Sequence, residues 1–133
     1  MKNNEQIKNL GQWYLETRLL SSELNDLCRQ HEMSFEQFLF LEQIVEFGPQ
    51  SPSELAIKFS TSGPIATRKL NVLYRRKMIE KSRGTRSDQR VVNISITSTG
   101  NAVYEQIAAD LMAWCERQKR TQVKTYDKYF LVG

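Results

Sequence analysis

Two helix starts stand eleven residues apart in the middle of the chain, and they limit what this stretch can become. In SPSEL (51–55) Ser51 is an N-cap, Pro52 takes the first helical position, and Glu54 stands at N3, from where its carboxylate can reach back to the cap. Ser62, inside the polar break STSG (60–63), caps the next helix. Only a short helix fits between them, with Leu55, Ala56 and Phe59 on one side. In the second helix, expected over 63–77, Ala66, Leu70 and Leu73 fall at i, i+4 and i+7 and face inward. Pro64, Arg68, Asn71 and Arg75 project from the opposite side, with Thr67 on its flank. Two short helices joined by a tight turn, the second with a polar and basic outer face, form a helix-turn-helix.

The flanking segments complete the expected architecture. IEKSR (79–83) and VVNISI (91–96) pair as a hairpin, because Val92, Ile94 and Ile96 alternate with Asn93 and Ser95 as in a half-buried strand. Its tip is RGTRSDQR (83–90), where Gly84 allows the turn. Upstream, Ile7, Leu10, Trp13, Tyr14, Leu20, Leu24 and Leu27 mark a long amphipathic helix over 5–30. A second, more apolar helix over 35–46 opens with Ser34 and Gln37 spaced as a capping box and stops at Gly48-Pro49. Downstream, Val103, Ile107, Leu111 and Trp114 mark a helix over 98–120, followed by a short tail at 121–133. The fold class is therefore mostly α with a small β-hairpin (α+β). It reads as one domain over 1–133, a winged helix-turn-helix lobe at 34–97 between long N- and C-terminal helices.

Charge is distributed unevenly. Residues 68–90 hold nine Lys or Arg against two acids, a balance of +7, whereas residues 1–50 come to −4. A basic patch on a mildly acidic body is the footprint of a polyanion-binding face, and nucleic acid is the first candidate. The second helix would lay its side chains in the major groove, and the wing would carry Arg83 and Arg86 to phosphates and Arg90 into the minor groove. Asp88, two residues from Arg90, would hold the wing in one conformation through the Arg90 fork or the loop amides.

Other classes find little support. No apolar run is long enough to span a membrane, and the first residues lack a signal peptide's apolar segment, so a cytoplasmic protein is expected. Cys28 and Cys115 lie far apart on helical segments and should stay reduced. Cys28 and His31 stand at i and i+3, but the chain has no second histidine, so no metal is expected. Neither a nucleophile–base pair nor a phosphate-binding glycine loop occurs, and neither an enzyme nor a cofactor is expected. Trp13, Tyr14, Tyr104 and Trp114 either line a pocket for a small-molecule effector, whose identity the sequence does not give, or pack in the core and a dimer interface.

Over residues 34–100 the chain resembles the MarR winged-helix transcription regulators, including their SarA-like relatives. SFEQFLFLEQI (34–44), SELA (53–56), TRKLNVL (67–73), DQR (88–90) and ITSTG (96–100) carry the resemblance, in register. It implies a cytoplasmic homodimer, held through both ends of the chain, that binds a pseudo-palindromic operator in double-stranded DNA; a repressor is the expected type, although the sequence does not give the sign of regulation. It also implies that Ser62, Thr67 and Arg68 lie at or near the major groove and that Asp88 and Arg90 form the wing motif. Pro64 stands where the family has a small polar residue. Lys77 stands where the family commonly has the glycine that ends the recognition helix, so that helix is expected to end some other way. The alternative to a DNA-binding regulator is a winged-helix protein–protein adaptor whose DNA affinity is incidental.

Overall fold

The computed structural model describes residues 2–83 and 92–119. Helix α1 (Lys2–Arg29) leads to α2 (Phe35–Phe47), α3 (Pro52–Lys58) and α4 (Gly63–Arg75). Strands β1 (Ile79–Arg83) and β2 (Val92–Ile96) follow, and α5 (Ser98–Lys119) closes the described chain. The protein is thus mostly helical with one antiparallel hairpin, in which Ile79 pairs with Ile96 and Arg83 with Val92.

Local chemistry sets the helix starts. Ser34 accepts from the Gln37 amide while the Gln37 side chain accepts from the Ser34 amide at 2.9 Å, the reciprocal capping box of α2. Ser51 accepts from the Glu54 amide at 3.1 Å. The expected return bond from Glu54 takes another form: its carboxylate accepts from the Ser51 hydroxyl at 3.2 Å, not from the cap amide. Ser62 accepts from the Ile65 amide and starts α4. A cap of this kind contributes about 1 kcal/mol.

Helix ends follow a rule that the sequence does not advertise. α1, α3 and α4 each terminate on a non-glycine residue in the left-handed region: Glu32 at φ 59°, Ser60 at φ 49° and Lys77 at φ 62°. Around each, a six-to-one bond is nested over a five-to-two bond. The amides of Met33, Thr61 and Met78 reach the carbonyls of Cys28, Ala56 and Leu73, while those of Glu32, Ser60 and Lys77 reach Arg29, Ile57 and Tyr74. The residues at both ends of the outer bond are buried in two of the three, Cys28 with Met33 and Leu73 with Met78, which offsets the strain. Lys77 therefore ends α4 in the same left-handed conformation a glycine would supply. The helix stops at Arg75, two residues short of the expected span, because that turn needs Arg76 and Lys77.

The core gathers Phe40, Leu41 and Ile44 of α2, Leu55 of α3, Leu70 and Leu73 of α4, Ile79 and Ile94 of the hairpin and Ile107 of α5. Phe40 meets Phe59 edge-on at 4.5 Å, and Phe38 packs on Tyr104 at 5.2 Å. Gln50, the one buried polar side chain recorded among the described residues, adds a single bridge to β2. It exchanges backbone bonds with Ile94 at 3.2 and 2.7 Å. Its side-chain amide donates to the Gln43 carbonyl at 2.8 Å, and its oxygen accepts from Lys58 at 2.7 Å. Burial is therefore fully compensated.

Gly100 fixes how α5 meets this body. A Cβ there would fall on the Met78 carbonyl oxygen and lie 2.9 Å from the Ile96 side chain. That same oxygen accepts from the Thr97 amide, and the Thr97 hydroxyl donates to the Lys77 carbonyl at 2.6 Å while accepting from the Gly100 amide at 3.0 Å. The end of α4, the start of β1 and the start of α5 are one hydrogen-bonded joint.

Candidate nucleic-acid interface

The face to consider is built by α4. With Ala66, Leu70 and Leu73 buried, the helical repeat leaves Ser62, Pro64, Thr67, Arg68, Asn71 and Arg75 exposed. The sequence-expected residues of this helix thus share one solvent-facing side. Ser62 and the first amides of α4 lie at the end of that face, where the helix dipole favours an anion. Arg68 and Arg75, two turns apart, put two guanidinium charges on this face, while Thr67 and Asn71 add hydrogen-bonding groups between them.

The wing is described in part. Arg83 closes the ladder opposite Val92. Gly84, Arg86, Asp88 and Arg90 lie outside the described residues, as does the 121–133 tail.

Not every base of the basic segment faces outward. The Lys69 ammonium pairs with Glu36 of α2 at 2.7 Å. The Arg76 guanidinium donates to the Glu32 carbonyl at 2.6 Å and to the His31 carbonyl at 2.8 Å. Lys81 of β1 lies 5.0 Å from the ring centre of Tyr74, a cation–π contact that ties the hairpin to α4 beside the exposed face. Sequence reasoning missed Tyr74 and Lys81. Their pairing across the α4–β1 turn was the available signal.

The remaining candidates separate. His31 contacts Asp110 of α5 at 3.1 Å, and no group of three or more metal-binding side chains occurs among the described residues. Cys28 is fully buried, and desolvation pushes its thiol from 9.0 to about 11, which suppresses the thiolate a redox sensor needs. Cys115 is exposed. Of the four aromatics read as either pocket or packing residues, Tyr104 packs into the core, where burial first and then Glu42, Glu105 and Glu46 raise its pKa. Trp114 instead lines a shallow cleft of about 330 Å³ between α1 and α5, and its indole N–H bonds Glu23 at 3.3 Å. Tyr14 is exposed on α1 and Trp13 half-buried, so the four do not converge on one pocket. Among the described residues, no helix is long and apolar enough to cross a membrane.

Along α1, Ile7, Leu10, Tyr14, Leu15, Leu19 and Leu20 are exposed, as is Met112 on α5. Apolar surface of this extent on two neighbouring helices is unusual for an isolated chain.

Comparison with protein families matches residues 23–107 to the family described as transcriptional regulator SarA/Rot. Comparison with curated proteins found no match. Among solved structures, the fold is similar to the transcriptional regulator BldR from Sulfolobus solfataricus, with TM-score 0.78 and 19% identity over 93% of this chain and 88% of that one. Wild-type MarR from E. coli in its apo form is similar at TM-score 0.65, with 24% identity over 71% of this chain and 69% of that one. A mutant of S. aureus MepR bound to an oligodeoxyribonucleotide is similar at TM-score 0.67, with 16% identity over 86% and 84%.

Proposed function

Since the chain belongs to the SarA/Rot family of transcriptional regulators, with a MarR-type winged-helix fold, we propose that it binds duplex DNA sequence-specifically as a homodimer. The observation that carries this reading is the single exposed face of α4, on which Thr67, Arg68, Asn71 and Arg75 stand together while the opposite face is locked into the core. Arg68 and Asn71 address base edges in the major groove, Thr67 and Arg75 flank them, and Ser62 with the helix N-terminus meets a phosphate. Arg83 and Arg86 of the wing contact the backbone, and Arg90, braced by Asp88, enters the adjacent minor groove. The oligodeoxyribonucleotide bound by the MepR relative supports nucleic acid as the partner.

The exposed apolar residues of α1, with Met112 of α5, supply a two-fold interface. Two-fold pairing would set the recognition helices about 34 Å apart, one DNA turn, and the operator would be pseudo-palindromic. Such a protein works in the cytoplasm, and a dimer seated on an operator suits a repressor. Selection from a random duplex library, followed by sequencing of the bound fraction, tests the reading. A pseudo-palindromic consensus is expected, and a bound pool with no enriched sequence would refute it.

A further inference from the structure

Arg75 and Arg76 are adjacent arginines at the end of the recognition helix, but they face different surroundings. Arg75 is exposed beside Arg68 and Asn71. Arg76, the cap residue that follows the helix, turns toward the body, and its fork spans the two carbonyls of the turn that ends α1, 2.6 Å from Glu32 and 2.8 Å from His31. Its side chain is only 28% exposed, and the Glu32 carboxylate stands 3.8 Å from the same guanidinium. The turn it holds is strained, with Glu32 in the left-handed region, and carries the negative end of the α1 dipole. The same turn is gripped from the other side, where His31 contacts Asp110 of α5 at 3.1 Å. α4, α1 and α5 therefore meet at residues 31–32.

We propose that Arg76 is a positioning residue and not a DNA ligand: by clamping α4 to the end of α1, it sets the distance between the two recognition helices when two copies pair. The proposal rests on the dimeric DNA-binding reading above. Its logic is geometric. α1 is the helix that carries the exposed apolar row, so its far end fixes the partner, and its near end fixes α4 through Arg76. A guanidinium suits the task because one rigid fork takes two carbonyls at once, which a lysine ammonium at the end of a flexible stem does not reproduce.

The test measures binding of the full chain to duplexes carrying the selected half-sites with the spacer changed by one or two base pairs, and to random duplex across a range of salt. Wild type, Arg75→Ala, Arg76→Ala and Arg76→Lys are compared. Arg76→Ala should reduce the preference for the native spacing by about tenfold, the scale of one charge-assisted hydrogen bond, while its salt slope on random duplex matches wild type. Arg75→Ala should lower that slope by about 0.9, the loss of one phosphate contact, and leave the spacing preference alone. Arg76→Lys should fail to restore the spacing preference. If Arg76→Ala lowers the slope as Arg75→Ala does and Lys restores it, Arg76 is a phosphate ligand and the proposal is overturned. If Arg76→Ala does not fold, Arg76→Gln, which keeps a donor for one carbonyl, is judged by the same two readouts. A wild type with no sequence or spacing preference would overturn the DNA reading and this proposal with it, whereas a wild-type preference that survives in Arg76→Ala would overturn this proposal alone.

Discussion

Lys77 holds a position where the backbone requires what a lysine supplies poorly. At φ 62° it closes the end of α4, with its amide on Tyr74 and the next amide on Leu73. Its carbonyl accepts from Thr97, so the turn cannot relax without disturbing the start of α5. The left-handed conformation costs a residue with a Cβ about 1 kcal/mol. Glycine removes that cost but returns roughly half of it through the greater freedom of the unfolded chain, leaving a net gain of about 0.5 kcal/mol. For a chain of this length the gain amounts to roughly 2 °C in Tm. Lys77→Ala keeps the strain and should sit within about 0.5 kcal/mol of wild type, as exposed substitutions do. Lys77→Val adds β-branching to a positive φ and should fall below both. Thermal unfolding by circular dichroism, at one protein concentration so that association does not shift the midpoint, gives the order Gly above Lys and Ala above Val. A glycine variant no more stable than the alanine variant would show that the left-handed turn is not where the strain lies.

Gly100→Ala should lose about 2–4 kcal/mol in denaturant unfolding, because the new methyl falls on the Met78 carbonyl and the joint cannot yield without breaking the Thr97 bond; a loss under about 1 kcal/mol would contradict that packing. A thiol reagent at neutral pH should modify Cys115 and spare Cys28 until the protein unfolds. Because folded Cys28 holds its proton up to about 11 against 9.0 for an ordinary thiol, its contribution is complete below pH 9 and lost between 9 and 11, so wild-type stability should fall more steeply in that window than that of Cys28→Ala. Duplex affinity should fall with salt at a slope near −5 if about six phosphates are neutralised, and a flat response would remove the polyanion reading. Arg90→Ala should cost about 1–3 kcal/mol of binding with the fold intact, and Asp88→Ala should weaken binding despite removing a negative charge, tighter binding being the refuting result.

What the sequence made legible was local chemistry. The caps at Ser34, Ser51 and Ser62 are each set by a side chain within three residues of the amide it satisfies, and the alternation of Val92, Ile94 and Ile96 marks a hairpin strand, so both could be read before any fold was known. The left-handed ends at Glu32, Ser60 and Lys77 could not, since the residue that signals such an end is glycine and none stands there. Gln50 escaped notice for another reason. A single bridge to Ile94 leaves no alternating pattern, and its burial depends on Lys58 and the Gln43 carbonyl arriving from the two flanking helices. The clamp of Arg76 on residues 31–32 and the contact of His31 with Asp110 join positions 44 to 79 residues apart, beyond any local rule.

The basic segment shows what phase adds to composition. Residues 68–69 read Arg-Lys and 75–76 read Arg-Arg, seven apart, so the sequence presents two parallel pairs of bases on one helix. Counted as charge they are equivalent and all contribute to the +7 of the segment. The buried stripe of Ala66, Leu70 and Leu73 makes them unequal: it turns Arg68 and Arg75 to solvent and brings Lys69 and Arg76 round to the body, where Glu36 and the α1 turn receive them. Arg68 and Lys69 are successive residues of one helix and Arg76 caps its end, so the two pairs are not adjusted separately. Under the proposed DNA-binding reading, holding Lys69 and Arg76 would fix the rotation at which Arg68 and Arg75 are presented. Net charge alone would assign all four bases to the polyanion. The helical phase leaves two of them exposed to solvent and ties the other two to the body of the protein.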